Sequence, residues 1–137
     1  LDAKELAQYD IGTPEQRRAA ERAWLVANVT PGNQAKLGRM ALEEGNLDEA
    51  IACYRRGADL GVLGPFYEYL YRELLGLHCR RLDLSGRSTA QRDADRDGAL
   101  AALERALLCG TSRDAVLALP GVAHLLSSPR FTALLGR

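Results

Sequence analysis

Apolar residues along this chain recur every three or four positions and almost never alternate. Ala19, Ala20, Ala23, Trp24 and Ala27 fall at helical spacing over 14–28. Tyr67, Leu70, Tyr71 and Leu74 repeat the pattern, as do Ala99, Leu103 and Ala106. No stretch shows sustained period-two alternation with β-branched residues, and the only isoleucines are Ile11 and Ile51. Ala and Leu dominate, which favours helix on propensity alone.

Punctuation divides the pattern into elements. Thr13-Pro14-Glu15-Gln16 offers an N-cap, a first-position proline and a capping-box glutamine. Thr30-Pro31 repeats the start signal, and Asn46 caps the next helix with Glu49 three residues on. Gly64-Pro65 and Ser128-Pro129 open two more, while Gly61 and Gly110 sit where helix-ending glycines belong. The pattern predicts helices over 2–9, 14–28, 32–44, 47–60, 65–80, 95–109, 112–118 and 129–135, with a turn of helix near 121–127. Connections are short except 81–94, which is polar, lacks a period and reads as a flexible loop.

Residues 34–62 are the most informative. They describe two helices folded back on each other around Gly45, which allows a tight reversal. Gly38 and Ala50 lack bulk where the helices cross, and Leu37, Ile51 and Tyr54 fill the rest. Such a hairpin cannot bury its apolar face alone and must stack on similar units.

This order of Leu-Gly, mid-unit Gly, Ala and aromatic resembles the tetratricopeptide repeat. Gln34, Gly57 and Val62 depart from it, standing where that family usually has Trp or Leu, Ala, and Pro. The ending Arg56-Gly57-Ala58-Asp59-Leu60-Gly61 is similar to the related Sel-type repeat. The resemblance implies an all-α, right-handed stack of antiparallel helix pairs with a C-terminal capping helix. One domain is expected over 1–137. Within it lie a degenerate first unit at 1–31 (Leu6, Ala19 and Ala23 in corresponding places), the best-matching unit at 31–63, a second unit at 64–110 interrupted by the 81–94 loop, and a cap at 111–137.

The resemblance also implies a non-catalytic protein-interaction module that binds a peptide or protein surface on the concave face of its first helices. Residues expected on that face are Lys36, Arg39 and Glu43 from one helix and Phe66, Glu68, Tyr69 and Arg72 from the next. Arg39 and Arg72 occupy equivalent places, so they form either a clamp for a carboxylate or ordinary surface pairs with Glu43 and Glu68. Phe66, Tyr67, Tyr69 and Tyr71 hold half of the aromatic residues. Tyr67 and Tyr71 share a face that suits the core, whereas Phe66 and Tyr69 suit either a groove anchor or packing on the N-terminal helices.

Composition narrows the partners. Eighteen basic and eighteen acidic side chains cancel, leaving no long-range field to draw nucleic acid or an anionic membrane. No apolar run reaches the roughly 20 residues of a membrane span. The start Leu1-Asp2-Ala3-Lys4 lacks a secretory layout and an initiator Met, which suits a trimmed or mature chain. Cys53, Cys79 and Cys109 lie far apart inside helical patterns and read as buried reduced thiols, so a cytoplasmic location is expected. Self-association is compatible with the pattern.

One motif points elsewhere. Asp93, Asp95, Asp97, Gly98 and Glu104 satisfy the spacing of an EF-hand calcium loop. That reading makes the chain a calcium-binding regulatory domain and needs loop through Ala101. The competing reading makes the aspartates the acidic first turn of a helix from about Asp97, and repeat phase favours it. An inhibitory or immunity-type partner protein is a further alternative. Catalysis finds little support: His78 and His124 are the only histidines, and no metalloprotease, dithiol, nucleophile-elbow or phosphate-loop motif is present.

Overall fold

The computed structural model describes residues 12–136 and Lys4; the expected helix at 2–9, with Leu6, otherwise lies outside the described residues. The described residues are all-helical and contain no strand. In chain order they form α1 (Pro14–Ala27), α2 (Pro31–Glu43), α3 (Leu47–Asp59), a 3-10 turn (Pro65–Tyr67), α4 (Glu68–Leu82), α5 (Thr89–Leu108), α6 (Arg113–Leu117), a second 3-10 turn (Val122–Leu125) and α7 (Pro129–Leu135). No helix among them is long and apolar enough to cross a membrane.

The starts are set by side-chain caps. Thr13, Thr30, Asn46 and Ser128 each accept a hydrogen bond from the backbone N–H three residues on, satisfying donors that a helix start leaves unpaired. The largest difference from expectation is α5, which begins at Thr89 instead of 95. Ser88 and Gln91 close a reciprocal capping box, at 3.1 and 2.9 Å, and extend the helix by nearly two turns. The expected 81–94 loop shrinks to residues 83–88. The segment starting at Pro65 opens as a 3-10 turn before α4 begins at Glu68.

Helices α2 and α3 pack on each other, α4 packs on α5, and α3 contacts α4 between them. Gly45 makes the α2–α3 reversal with φ +76°. Gly38 lets those helices approach: a Cβ there would lie 2.5 Å from the Tyr54 ring. Glycine also serves the α4–α5 contact, where a Cβ on Gly98 would lie 2.6 Å from the His78 ring. The main core runs through Ala35, Ala50, Ile51, Tyr54, Leu70, Tyr71, Leu75, Ala99 and Leu103 to Phe131 and Leu134 of α7. Leu37 is grouped otherwise, with Leu25, Met40 and Cys53 in a smaller cluster that docks α1.

Gln34 and Gly57 explain each other. Gln34 is buried and accepts from Arg56 Nε at 3.3 Å. A Cβ on Gly57 would press within 3.2 Å of the Gln34 Cβ and of Leu70. The C-terminal turn is seated on the end of α4. Gly121 (φ +81°) lies so close to the Cys79 carbonyl that a Cβ there would overlap it, and His124 Nε2 meets Asp83 at 2.6 Å. All three cysteines are buried free thiols, and burial pushes Cys79 up to about 12.

Candidate functional site

A largely apolar groove of about 320 Å³ opens between α2 and α4. It is lined by Leu42 from α2, Gly76 and Leu77 from α4 and Pro120 from the C-terminal segment, with Arg39, Tyr54, Glu73 and Arg80 completing it. Leu77 is held in place because the helix it belongs to also buries Leu70, Leu74 and Leu75 in the core. Gly76 leaves the space open, since its place in the helix carries no side chain.

Charges around the groove are tied together. Arg39 donates to Glu73 at 3.3 and 3.4 Å and lies 5.5 Å above the Tyr69 ring. Glu73 also accepts from the Tyr54 hydroxyl. Burial and Glu73 together push the Tyr54 phenol well above its ordinary range. Arg80 is exposed and makes no side-chain bond with the described residues.

The residues expected on this face are dispersed. Arg39 alone lines the groove. Arg72 bonds Glu68 at 2.8 Å, and Glu68 accepts also from Thr111 at 2.8 Å. Glu43 pairs with Arg18 of α1 at 3.1 Å. Arg39 and Arg72 are therefore each committed to a carboxylate of this chain, and Arg39 chooses Glu73 over Glu43. Lys36 is exposed on α2, and Tyr69 is half-buried beneath Arg39. Phe66, 88% exposed, stands on the 3-10 turn. Leu42, Leu77, Arg80 and Pro120 carried no local signal, because the groove joins residues far apart in the chain.

The calcium-loop reading of Asp93, Asp95, Asp97 and Glu104 is corrected by the length of α5, which makes all four helical. Alternate residues of a helix point to different sides, so the carboxylates cannot converge on one ion. Asp93 pairs with Arg96 at 3.0 Å, Glu104 pairs with Arg130 at 3.2 Å, and Asp97 is exposed. Among the described residues no group of three or more His, Cys, Asp or Glu is placed to hold a metal ion.

Asp95 has a different task. It is fully buried between α4 and α5 and accepts from Arg81 (2.7 to 3.0 Å), Arg87 (2.8 Å) and His78 Nδ1 (2.9 Å). Burial opposes its charge, yet Arg81 and His78 hold the carboxyl below its usual range. Burial likewise disfavours a charged His78 and lowers its pKa, against the pull of Asp95 and with help from Arg81 and Arg55.

Both shifts give the same sign. A folded-state pKa below the unfolded one means that the unfolded chain takes up the proton first as pH falls. The His78 contribution is full above about pH 6.5, and the Asp95 contribution above about pH 4. Each is lost on acidification below those points. Denaturant titrations over a pH series are expected to show stability declining below about pH 6.5, and His78→Gln is expected to flatten that first decline. A His78→Gln curve parallel to that of the parent chain would place the titrating group elsewhere.

Set against family models, curated proteins and solved structures, the chain gives no match.

Proposed function

We propose that the protein is a non-catalytic peptide-binding module built as a tetratricopeptide-like stack of helix pairs. Its occupant is a short peptide carrying an apolar side chain next to an acidic residue. The observation that carries this reading is the groove between α2 and α4, whose apolar wall ends in charged residues. Leu42, Leu77 and Pro120 suit an aliphatic or aromatic anchor. Arg80, exposed and unpaired among the described residues, suits a carboxylate beside that anchor. Glu73 is already engaged by Arg39 and Tyr54, so the groove's unengaged charge is positive.

Gly76 provides the test. A Cβ there meets only the Leu119 side chain, at an ordinary 3.7 Å. Gly76→Ala is expected to stabilise the fold by about 0.5–1 kcal/mol, the helix-propensity gain, as read by denaturant unfolding. Gly76→Gln is expected to fold as well and to fill the groove. In a displayed peptide library the parent chain is expected to select acidic-apolar sequences. Gly76→Gln should lose them by about tenfold or more, while Arg80→Glu should lose the acidic preference. Selected peptides that bind Gly76→Gln unchanged would move the occupant to another surface.

A further inference from the structure

Two segments without a charged side chain, 60–67 and 106–112, lie side by side at one rim of the helix stack. Two contacts join this rim. The Gly64 N–H donates to Cys109 Sγ at 3.4 Å, and the Thr111 hydroxyl donates to Glu68 at 2.8 Å. The Tyr71 hydroxyl donates to the Val62 carbonyl at 2.5 Å, so the α3–α4 connection is held at several points.

The rim carries a knob. Phe66 stands on the 3-10 turn and is the most exposed large apolar residue among the described ones. The rim also carries a hollow. Leu107 and Leu108 at the end of α5 and Leu134 and Leu135 at the end of α7 line a space of about 410 Å³. A cavity of roughly 150 Å³ accepts benzene, so a phenyl ring fits there. Thr111 lines the hollow and is bonded to Glu68, two residues beyond Phe66, so knob and hollow adjoin. The chain's own Phe66 does not line the hollow.

Area and charge favour a second copy as the occupant. Leu60, Val62, Leu63, Phe66 and Leu108 are 44, 37, 50, 88 and 69% exposed. At roughly 200 Å² for a whole side chain of such size, they expose about 600 Å² per copy. Two copies would bury about 1,200 Å², where specific interfaces begin. Eighteen basic and eighteen acidic side chains cancel, so two copies meet without long-range repulsion. Depletion of charge suits the core of a protein interface. A bilayer anchor takes basic residues on its flank, and neither segment supplies them. A face bearing both a projection and its receptacle is its own complement about a two-fold axis.

We propose that the protein pairs with itself through this rim, Phe66 of each copy seated between the α5 and α7 leucines of the other. The peptide groove is separate, because its Leu77 and Arg80 lie at the far end of α4 from Phe66.

Sedimentation velocity on the full chain across a concentration series tests the pairing. The parent chain is expected to reach twice the monomer mass with a Kd of about 1–100 μM, as suits an interface of this size. Phe66→Ser and Leu108→Arg alter exposed side chains, so helicity by circular dichroism is expected to be unchanged. Each is expected to weaken pairing about hundredfold or more, because a symmetric contact loses the residue twice. An equimolar mixture of the two keeps one intact knob and one intact hollow. It is expected to recover a heterodimer weaker than the parent dimer. A parent chain that stays monomeric to about 1 mM overturns the proposal, and its flotation with phosphatidylcholine vesicles would give the rim to a membrane instead. A dimer that both variants leave intact, a mass that climbs past two copies, or a mixture that recovers nothing also overturns it. Gly76→Gln is expected to pair as the parent does, which separates this rim from the peptide groove.

Discussion

Asp95→Ala is expected to cost the fold about 3–5 kcal/mol, the range for removing one partner of a buried ion pair. The deletion leaves His78 Nδ1 buried without an acceptor and takes a partner from both Arg81 and Arg87. Arg81 retains Asp48 at 3.0 Å, which softens the loss. Arg87 has no such reserve, since its Nε is already buried and unbonded. Native domains are stable by only about 5–15 kcal/mol, so the variant is expected to sit near the edge of folding. Asp95→Asn keeps the shape and one acceptor oxygen while removing the charge. It should fall between the alanine variant and the parent chain in denaturant midpoint. Equal midpoints for all three would mean that the α4–α5 contact does not rely on this cluster.

Gly38→Leu is expected to destabilise by about 3 kcal/mol or more, at the upper end of overpacking effects. The first added carbon alone would sit 2.5 Å from the Tyr54 ring. The ring is buried and its hydroxyl is bound to Glu73, so it cannot swing aside cheaply. The backbone carbonyl of Ala50, 3.3 Å from the same point, blocks the other way out. Even Gly38→Ala should be destabilising, reversing the sign expected for Gly76→Ala in α4. Two glycine-to-alanine variants with opposite signs distinguish close packing from propensity, because helix propensity alone would stabilise both. Thermal or denaturant unfolding of the pair reads the difference, and a stabilised Gly38→Ala would contradict the crossing described here.

Local signals carried most of the helical map. Thr13 with Gln16, Thr30 with Pro31, Asn46 with Glu49 and Ser128 with Pro129 each mark a start that the structure places within a residue or so. Gly38 opposite Tyr54 was legible because a small-large order at fixed spacing encodes a helix crossing. Ser88 with Gln91 was equally legible in principle, but the polar, aperiodic residues flanking them masked the capping box. Asp95 also left a trace. It falls on the stripe of Ala99, Ala102 and Ala106, so its phase alone implied burial and hence the need for cations. Its partners were beyond reach of local reading, since Arg81 and Arg87 approach from the preceding helix end and loop. The groove was least legible. Arg39 was found, but Leu42, Leu77 and Pro120 acquire their role only when α2, α4 and the C-terminal segment meet. Which face of a helix remains open depends on its neighbours, and that information is not local.

The Tyr54 hydroxyl and Arg39 share the Glu73 carboxylate, one from the interior and one from the groove. An occupant that draws Arg39 away would leave that carboxylate to the phenol alone and strengthen their bond. The near-ultraviolet absorbance of Tyr54, one of two fully buried tyrosines among the described residues, would then shift with occupancy, giving the molecule a built-in optical reporter that needs no label.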